Sequence, residues 1–185
     1  VGTSRVMIHD RNTLGFYMSP GKHGRIHRDK YEARNEPMPV VVVIGGDPLQ
    51  FLVACSEMPY GVCELDIAGG LRGKAVKVVK GRVTGLPIPA NAEMVIEGFV
   101  QPHKRKLEGP FGEWTGYYGW TRKRPVVQVE CITHRNDPIF RGQVEGSKPT
   151  ASAPTGGAAV AATQGERIDQ LEKTIIQVSE NSAKR

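Results

Sequence analysis

Apolar residues along this chain gather into short runs rich in β-branched side chains, cut off by Gly, Pro and Asn. Val6 to Ile8 and Leu14 to Met18 flank the polar stretch His9 to Asn12, which predicts a β-hairpin within Val1 to Met18. Pro39 to Ile44 is a continuous β-branched run ended by Gly45 to Pro48, the pattern of a buried strand. Leu49 to Met58 then reads as a helix capped by Asp47, with Pro48 in its first turn, and Pro59 to Gly61 breaks it. Glu64 to Gly73 is a shorter helical piece whose glycines fall at its end. From Ala75 the pattern turns to strands: Ala75 to Val79, Arg82 to Leu86, Ala92 to Val100 and Pro125 to Ile132. Strands at this spacing point to a barrel or a sandwich.

Beyond Gly142 the character changes. Ser147 to Gly157 is rich in Pro, Thr, Ser, Ala and Gly and has no periodicity from which a core could be built. After it, Ile168, Leu171, Ile175 and Val178 form one apolar stripe, a docking helix or a very short coiled-coil seam. The organisation predicted is therefore a domain over 1–142, a linker over 143–165 and a helical tail of unassigned role over 166–185.

Composition narrows the classes. No apolar run approaches a membrane span and no signal-peptide order opens the chain, so a cytoplasmic protein is expected. Cys55, Cys63 and Cys131 are odd in number and form no CxxC pair, which argues against a disulfide framework or a structural zinc site. The net charge of +6 and pI near 9.3 raise the question of nucleic acid, with basic residues clustered in Lys22 to Arg34 and Lys104 to Lys106. The aromatics, however, sit beside carboxylates rather than between Lys and Arg, so a stacking platform is not indicated. A phosphate-bearing small molecule accounts for a local basic patch equally well.

Two glycine- and proline-rich loops carry candidate chemistry. Ser19 to Gly24 presents Lys22, His23 and Arg25 ahead of a charged, helix-compatible segment from His27 to Asn35, and it suits a phosphate or is a solvated basic turn. Glu108 to Gly119 holds four glycines, one proline, two carboxylates and four aromatics in twelve residues. If its Gly-Pro segment bends, Glu108 and Glu113 share a site walled by Phe111, Trp114 and Tyr117, where poor solvation and mutual repulsion suit proton transfer. The alternative is a solvated acidic turn.

Six blocks, in order, decide between these openings: Val1 to Arg5, Met18 to Gly24, Met58 to Glu64, Ala68 to Gly73, Ile88 to Glu93 and Glu108 to Tyr118. Together they resemble the central flavin-binding domain of the UbiD family of prenylated-flavin-dependent decarboxylases, over roughly residues 1 to 142. The resemblance implies a mainly-β α+β fold, a split β-barrel related to flavin reductases, with flanking helices. It implies catalytic roles for Arg5, Glu108 and Glu113, with Arg5 and Glu108 as an ion pair beside the cofactor and Glu113 as the proton donor.

It also assigns His23 and Glu64 to a divalent metal, usually Mn2+, and lines prenylated FMN with Gly2, Thr3, Ser4, Arg5, Lys22, His23 and Glu64. Cys55, Ser56 and Met58 correspond to a segment that helps bind K+ in some members. The implied reaction is reversible, non-oxidative decarboxylation of an α,β-unsaturated or aromatic acid, in a homo-oligomer supplied with cofactor by a flavin prenyltransferase. The family pattern places an Asn metal ligand just ahead of Val1 and a closing C-terminal domain after Gly142, so the chain is expected to be a fragment. A flavin-binding module without turnover is the second reading, and a basic nucleic-acid-binding domain the third.

Overall fold

The computed structural model describes residues 1–113 and 115–140; Trp114, the predicted linker and the predicted tail helix lie outside the described residues. The chain divides into two compact units. The larger is Val1–Lys106 with Arg124–Arg141, and Leu107–Lys123 belongs to the smaller. The architecture is α+β and mainly β, as expected.

The predicted hairpin is present as β1 (Val6–Asp10) and β2 (Thr13–Phe16), paired antiparallel with Val6 opposite Phe16. Helix α1 (His23–Ala33) follows, then β3 (Met38–Ile44), α2 (Pro48–Cys55) and α3 (Glu64–Arg72). A small ribbon of β4 (Val78–Lys80) and β5 (Pro87–Pro89) leads to the long strands β6 (Met94–Glu108) and β7 (Arg122–His134). Among the described residues the main sheet has five strands in the order β1-β2-β7-β6-β3.

Strand period explains where the core lies. Every second residue of β3, namely Met38, Val40, Val42 and Ile44, turns to a core whose buried members include Leu14, Met18, Ile96, Val100 and Val127. Tyr31 of α1 packs against the same cluster. Burying side chains of this size stabilises the fold by roughly 1.5–3 kcal/mol each. Helix α2 begins as the sequence predicts: the Asp47 carboxylate accepts from the Leu49 amide at 2.9 Å, and Pro48 occupies the first turn, where no amide is needed.

The strand expected over Arg82 to Leu86 is instead a loop. Its cause is Glu97 of β6, which points away from the core and is 1% exposed. The Glu97 carboxylate accepts from the amides of Arg82, Val83 and Thr84 at 2.9, 3.1 and 3.0 Å and from the Thr84 hydroxyl at 2.8 Å. Three consecutive amides converging on one carboxylate cannot also run in a ladder. Gly81 is required beside it, because a Cβ there would meet a Glu97 oxygen at 2.5 Å. A cavity of about 190 Å3 lies on this face, lined among others by Val79, Ile88, Val95, Glu97 and Arg135. None of the residues marked by the sequence as site residues lines it.

Burial pushes the Glu97 carboxyl up, but the bonds from Thr84, Arg82 and Val83 outweigh it and hold its pKa below the ordinary 4.5. A depressed folded-state pKa gives stability that is complete above about pH 4.5 and is lost as pH falls toward the folded value. Glu97→Gln turns a donor toward donors and is expected to cost about 2–3 kcal/mol in urea unfolding at pH 7. It should also flatten the acid limb of stability against pH; an unchanged midpoint and limb would show that the carboxylate does not hold the loop.

Candidate cofactor and cation site

His23 lies at the first position of α1 rather than in a loop. The Lys22 carbonyl accepts from the amides of Arg25 and Ile26 at 3.0 and 3.1 Å, so the helix starts earlier than the glycine- and proline-rich sequence suggests. The shift matters because it stacks His23, His27 and Lys30 on one helical face. Glu64 opens α3, where the unpaired amides of a helix N-terminus favour a carboxylate.

The two helix starts meet. Glu64 is 5% exposed, its Oε1 is 3.2 Å from His23 Nδ1, and its Oε2 accepts from the Val1 ammonium at 2.8 Å. A buried carboxylate facing an imidazole is a pair of donors that suits a hard or borderline divalent metal. Among the described residues, no group of three His, Cys, Asp or Glu side chains converges on one point.

The other residues expected at the cofactor make contacts of their own. Residues 1–5 are exposed; the Ser4 hydroxyl donates to the Tyr17 carbonyl at 2.5 Å, and Cys55 Sγ lies 3.7 Å from the Thr3 hydroxyl. Nothing lies within 4 Å of where a Cβ on Gly2 would be, which leaves the backbone open to a ligand. Lys22 Nζ is held by Glu57 at 2.6 Å.

Much of the basic charge is answered in the same way: Arg25 by Asp29, Arg34 by Glu36, Arg105 by Glu32 and Lys106 by Asp10. The Lys106 bond, stronger than the effect of burial, takes Asp10 down to about 2. Part of the charge in both basic clusters is thus compensated locally, which weakens the case for a polyanion partner.

The smaller unit carries Glu108 and Glu113. Its loop is a tight turn: the Glu113 amide donates to Tyr117 O at 2.8 Å, the Gly116 amide to Glu113 O at 2.9 Å, and the Gly119 amide to Phe111 O at 2.7 Å. Gly109, at φ 97°, permits the bend; a Cβ there would meet the Trp120 carbonyl at 3.1 Å. Glu108 is buried and Glu113 half-buried. Tyr117, expected as a wall, is instead 78% exposed, because the turn hydrogen bonds use its carbonyl and leave the ring outward.

Sequence reasoning missed what fixes α1 in place. Glu32 accepts from Arg105 Nη2 at 2.5 Å and from the His103 amide at 3.1 Å, and lies 3.5 Å from buried Arg28. The Arg28 to Glu32 pair was visible as an i, i+4 spacing, but the β6 partners are seventy residues away and carry no local signal.

Comparison with known proteins follows this geometry. A family model described as the 3-octaprenyl-4-hydroxybenzoate carboxy-lyase Rift-related domain of UbiD matches residues 1–148. A phenolic acid decarboxylase of Streptomyces sp. (strain D7) is 38% identical over 141 residues, 76% of this chain and 29% of that protein. The vanillic acid decarboxylase of Sedimentibacter hydroxybenzoicus in closed form superposes with TM-score 0.75 at 34% identity, over 79% of this chain and 31% of that one. An evolved dimeric form of the enzyme HmfF from Pelotomaculum thermopropionicum, in complex with prFMN, gives TM-score 0.72 at 35% identity, over 75% and 32%. A mainly-β α+β fold is thus shared with UbiD-class enzymes. The chain belongs to the UbiD family, and it spans about a third of the length of these relatives.

Burial pushes the Glu32 carboxyl up, but Arg105, the His103 amide and the Arg28 charge together hold it down, so it is an anion at neutral pH. Glu32→Ala leaves Arg28 and Arg105 without that anion and is expected to cost about 3 kcal/mol of stability, read as a lower urea midpoint. An unaltered midpoint would mean that α1 is held by apolar packing alone.

Proposed function

We propose that this chain is the cofactor-holding domain of a reversible, non-oxidative decarboxylase acting on an α,β-unsaturated or aromatic carboxylic acid through prenylated FMN. The observation that carries the reading is the His23 and Glu64 pair, 3.2 Å apart at two helix starts, in a chain of the UbiD family. The names of its relatives support the reaction class, and the prFMN complex of HmfF supports the cofactor.

His23 and Glu64 would hold Mn2+, which would supply positive charge for an anionic cofactor group. Gly2, Thr3, Ser4, Arg5 and Lys22 line the flavin in a split-barrel frame, and Cys55, Ser56 and Met58 offer a K+ position. When bound, prenylated FMN supplies the electron sink for the bond broken as carbon dioxide leaves. Arg5 brings positive charge and Glu108 negative charge to the reacting region. Glu113 delivers the proton to the carbon that loses its carboxylate. In the full-length protein this domain works in a cytoplasmic homo-oligomer, served by a flavin prenyltransferase. A flavin-holding module without turnover is the second reading, favoured by the convergence of only two metal-ligating side chains among the described residues.

The test is carbon dioxide release from cinnamic-type and hydroxybenzoic-type acids by the chain loaded with prenylated FMN and Mn2+. Glu113→Gln is expected to cut turnover by at least about a hundredfold, as loss of a general acid does, with an unchanged thermal melt. Full turnover in that variant would remove Glu113 from its role. A loaded, folded chain with no turnover on either class would favour the second reading.

A further inference from the structure

The ring of Tyr60 is the meeting point of three side chains of α1. It meets the His23 imidazole edge to face, with centroids 5.7 Å apart and planes at 85°. It lies 6.0 Å from the His27 ring at a tilt of 41°. Its hydroxyl accepts from Lys30 Nζ at 2.5 Å, and that ammonium is 4.8 Å from the ring centroid. His23, His27 and Lys30 fall at i, i+4 and i+7, so Tyr60 lies along a single helical face. Tyr60 itself is 54% exposed and comes from the Pro59 to Gly61 break ahead of α3, so these contacts, rather than burial, fix its ring.

An imidazole at the first position of a helix has no preceding turn to restrict it, and rotation about its side-chain bonds would carry its nitrogens away from Glu64. Here Nδ1 faces Glu64 at 3.2 Å while the Tyr60 ring contacts the imidazole at a right angle. Aromatic pairs favour this edge-to-face geometry because the positive edge of one ring meets the negative face of the other.

We propose that Tyr60, braced by Lys30, is a positioning residue that holds the His23 imidazole in the rotamer facing Glu64, so that both side chains address one cation. The inference rests on the cation-site reading above. The residue acts through His23 and touches no reacting atom. Hydrogen-bonded outer partners orient metal-binding histidines in the same way; a ring contact is weaker, and its loss is expected to lower metal affinity by up to about tenfold.

The experiment uses the full chain with Mn2+ as the probe, following bound metal by electron paramagnetic resonance and the His23 ring signals by NMR in metal-free protein. Wild type should show a contact between the Tyr60 and His23 rings and a single ring-shifted set of His23 signals. Tyr60→Leu should average those signals and weaken Mn2+ binding by up to about tenfold. Tyr60→Phe, which keeps the ring, should retain most of both properties, and Lys30→Met should fall between. His23 signals unmoved in Tyr60→Leu would overturn the proposal, as would moved signals with unchanged Mn2+ affinity. Glu64→Gln separates the two layers. If wild type binds no Mn2+, or binds it equally well with Glu64→Gln, the cation reading fails, and the metal-free His23 signals alone then decide the role of Tyr60.

Discussion

A carboxylate taken out of water must be met by donors or cations, and this fold depends on how Glu64 meets that demand. One of its oxygens faces an imidazole at the start of α1, and it stands where the α3 amides also favour negative charge. The same demand recurs elsewhere with other answers. Glu97 is satisfied by backbone amides and a hydroxyl, which bends the 82–86 segment into a loop. Glu32 is satisfied by two arginines and an amide, which fixes α1 against β6. Of the three, only Glu64 faces a side chain that can itself ligate a metal, whereas Glu97 and Glu32 face amides, a hydroxyl and guanidinium groups.

That contrast separates architecture from chemistry. Glu97 and Glu32 stabilise the frame on which His23 and Glu64 are mounted, their oxygens taken up by amides, a hydroxyl and guanidinium groups. Mounting both members of the pair on helix starts gives each a fixed backbone, while the side chain of His23 still needs its rotamer set from outside the helix. Tyr60 supplies that constraint from a loop while remaining an exposed residue.

Much of this frame was legible in the sequence. The hairpin, the β3 run and the Asp47 and Pro48 start of α2 are local patterns, and each stands where periodicity and capping placed it. The errors arose where distant groups override local preference. Glu97 lies at least thirteen residues from the amides it collects, so nothing within 82–86 betrays the loop. The start of α1 at His23 was hidden by a Gly and Pro run that reads as a turn, although Lys22 already closes the first helical bonds. The pairing of His23 with Glu64 came from the family resemblance, not from spacing, and the geometry brings the two together. Tyr60 had no signal beyond its place in a helix break. The tail stripe from Ile168 to Val178 lies outside the described residues.

The central claim is that this domain holds a flavin mononucleotide through a cation gripped by His23 and Glu64. Native mass spectrometry of the chain mixed with prenylated FMN, with and without Mn2+, tests it most directly. The account predicts a complex of one chain, one flavin and one Mn2+ that forms only when the metal is present and disappears with His23→Ala. Flavin retained equally without Mn2+ and in His23→Ala, or no flavin retained at all, would contradict it.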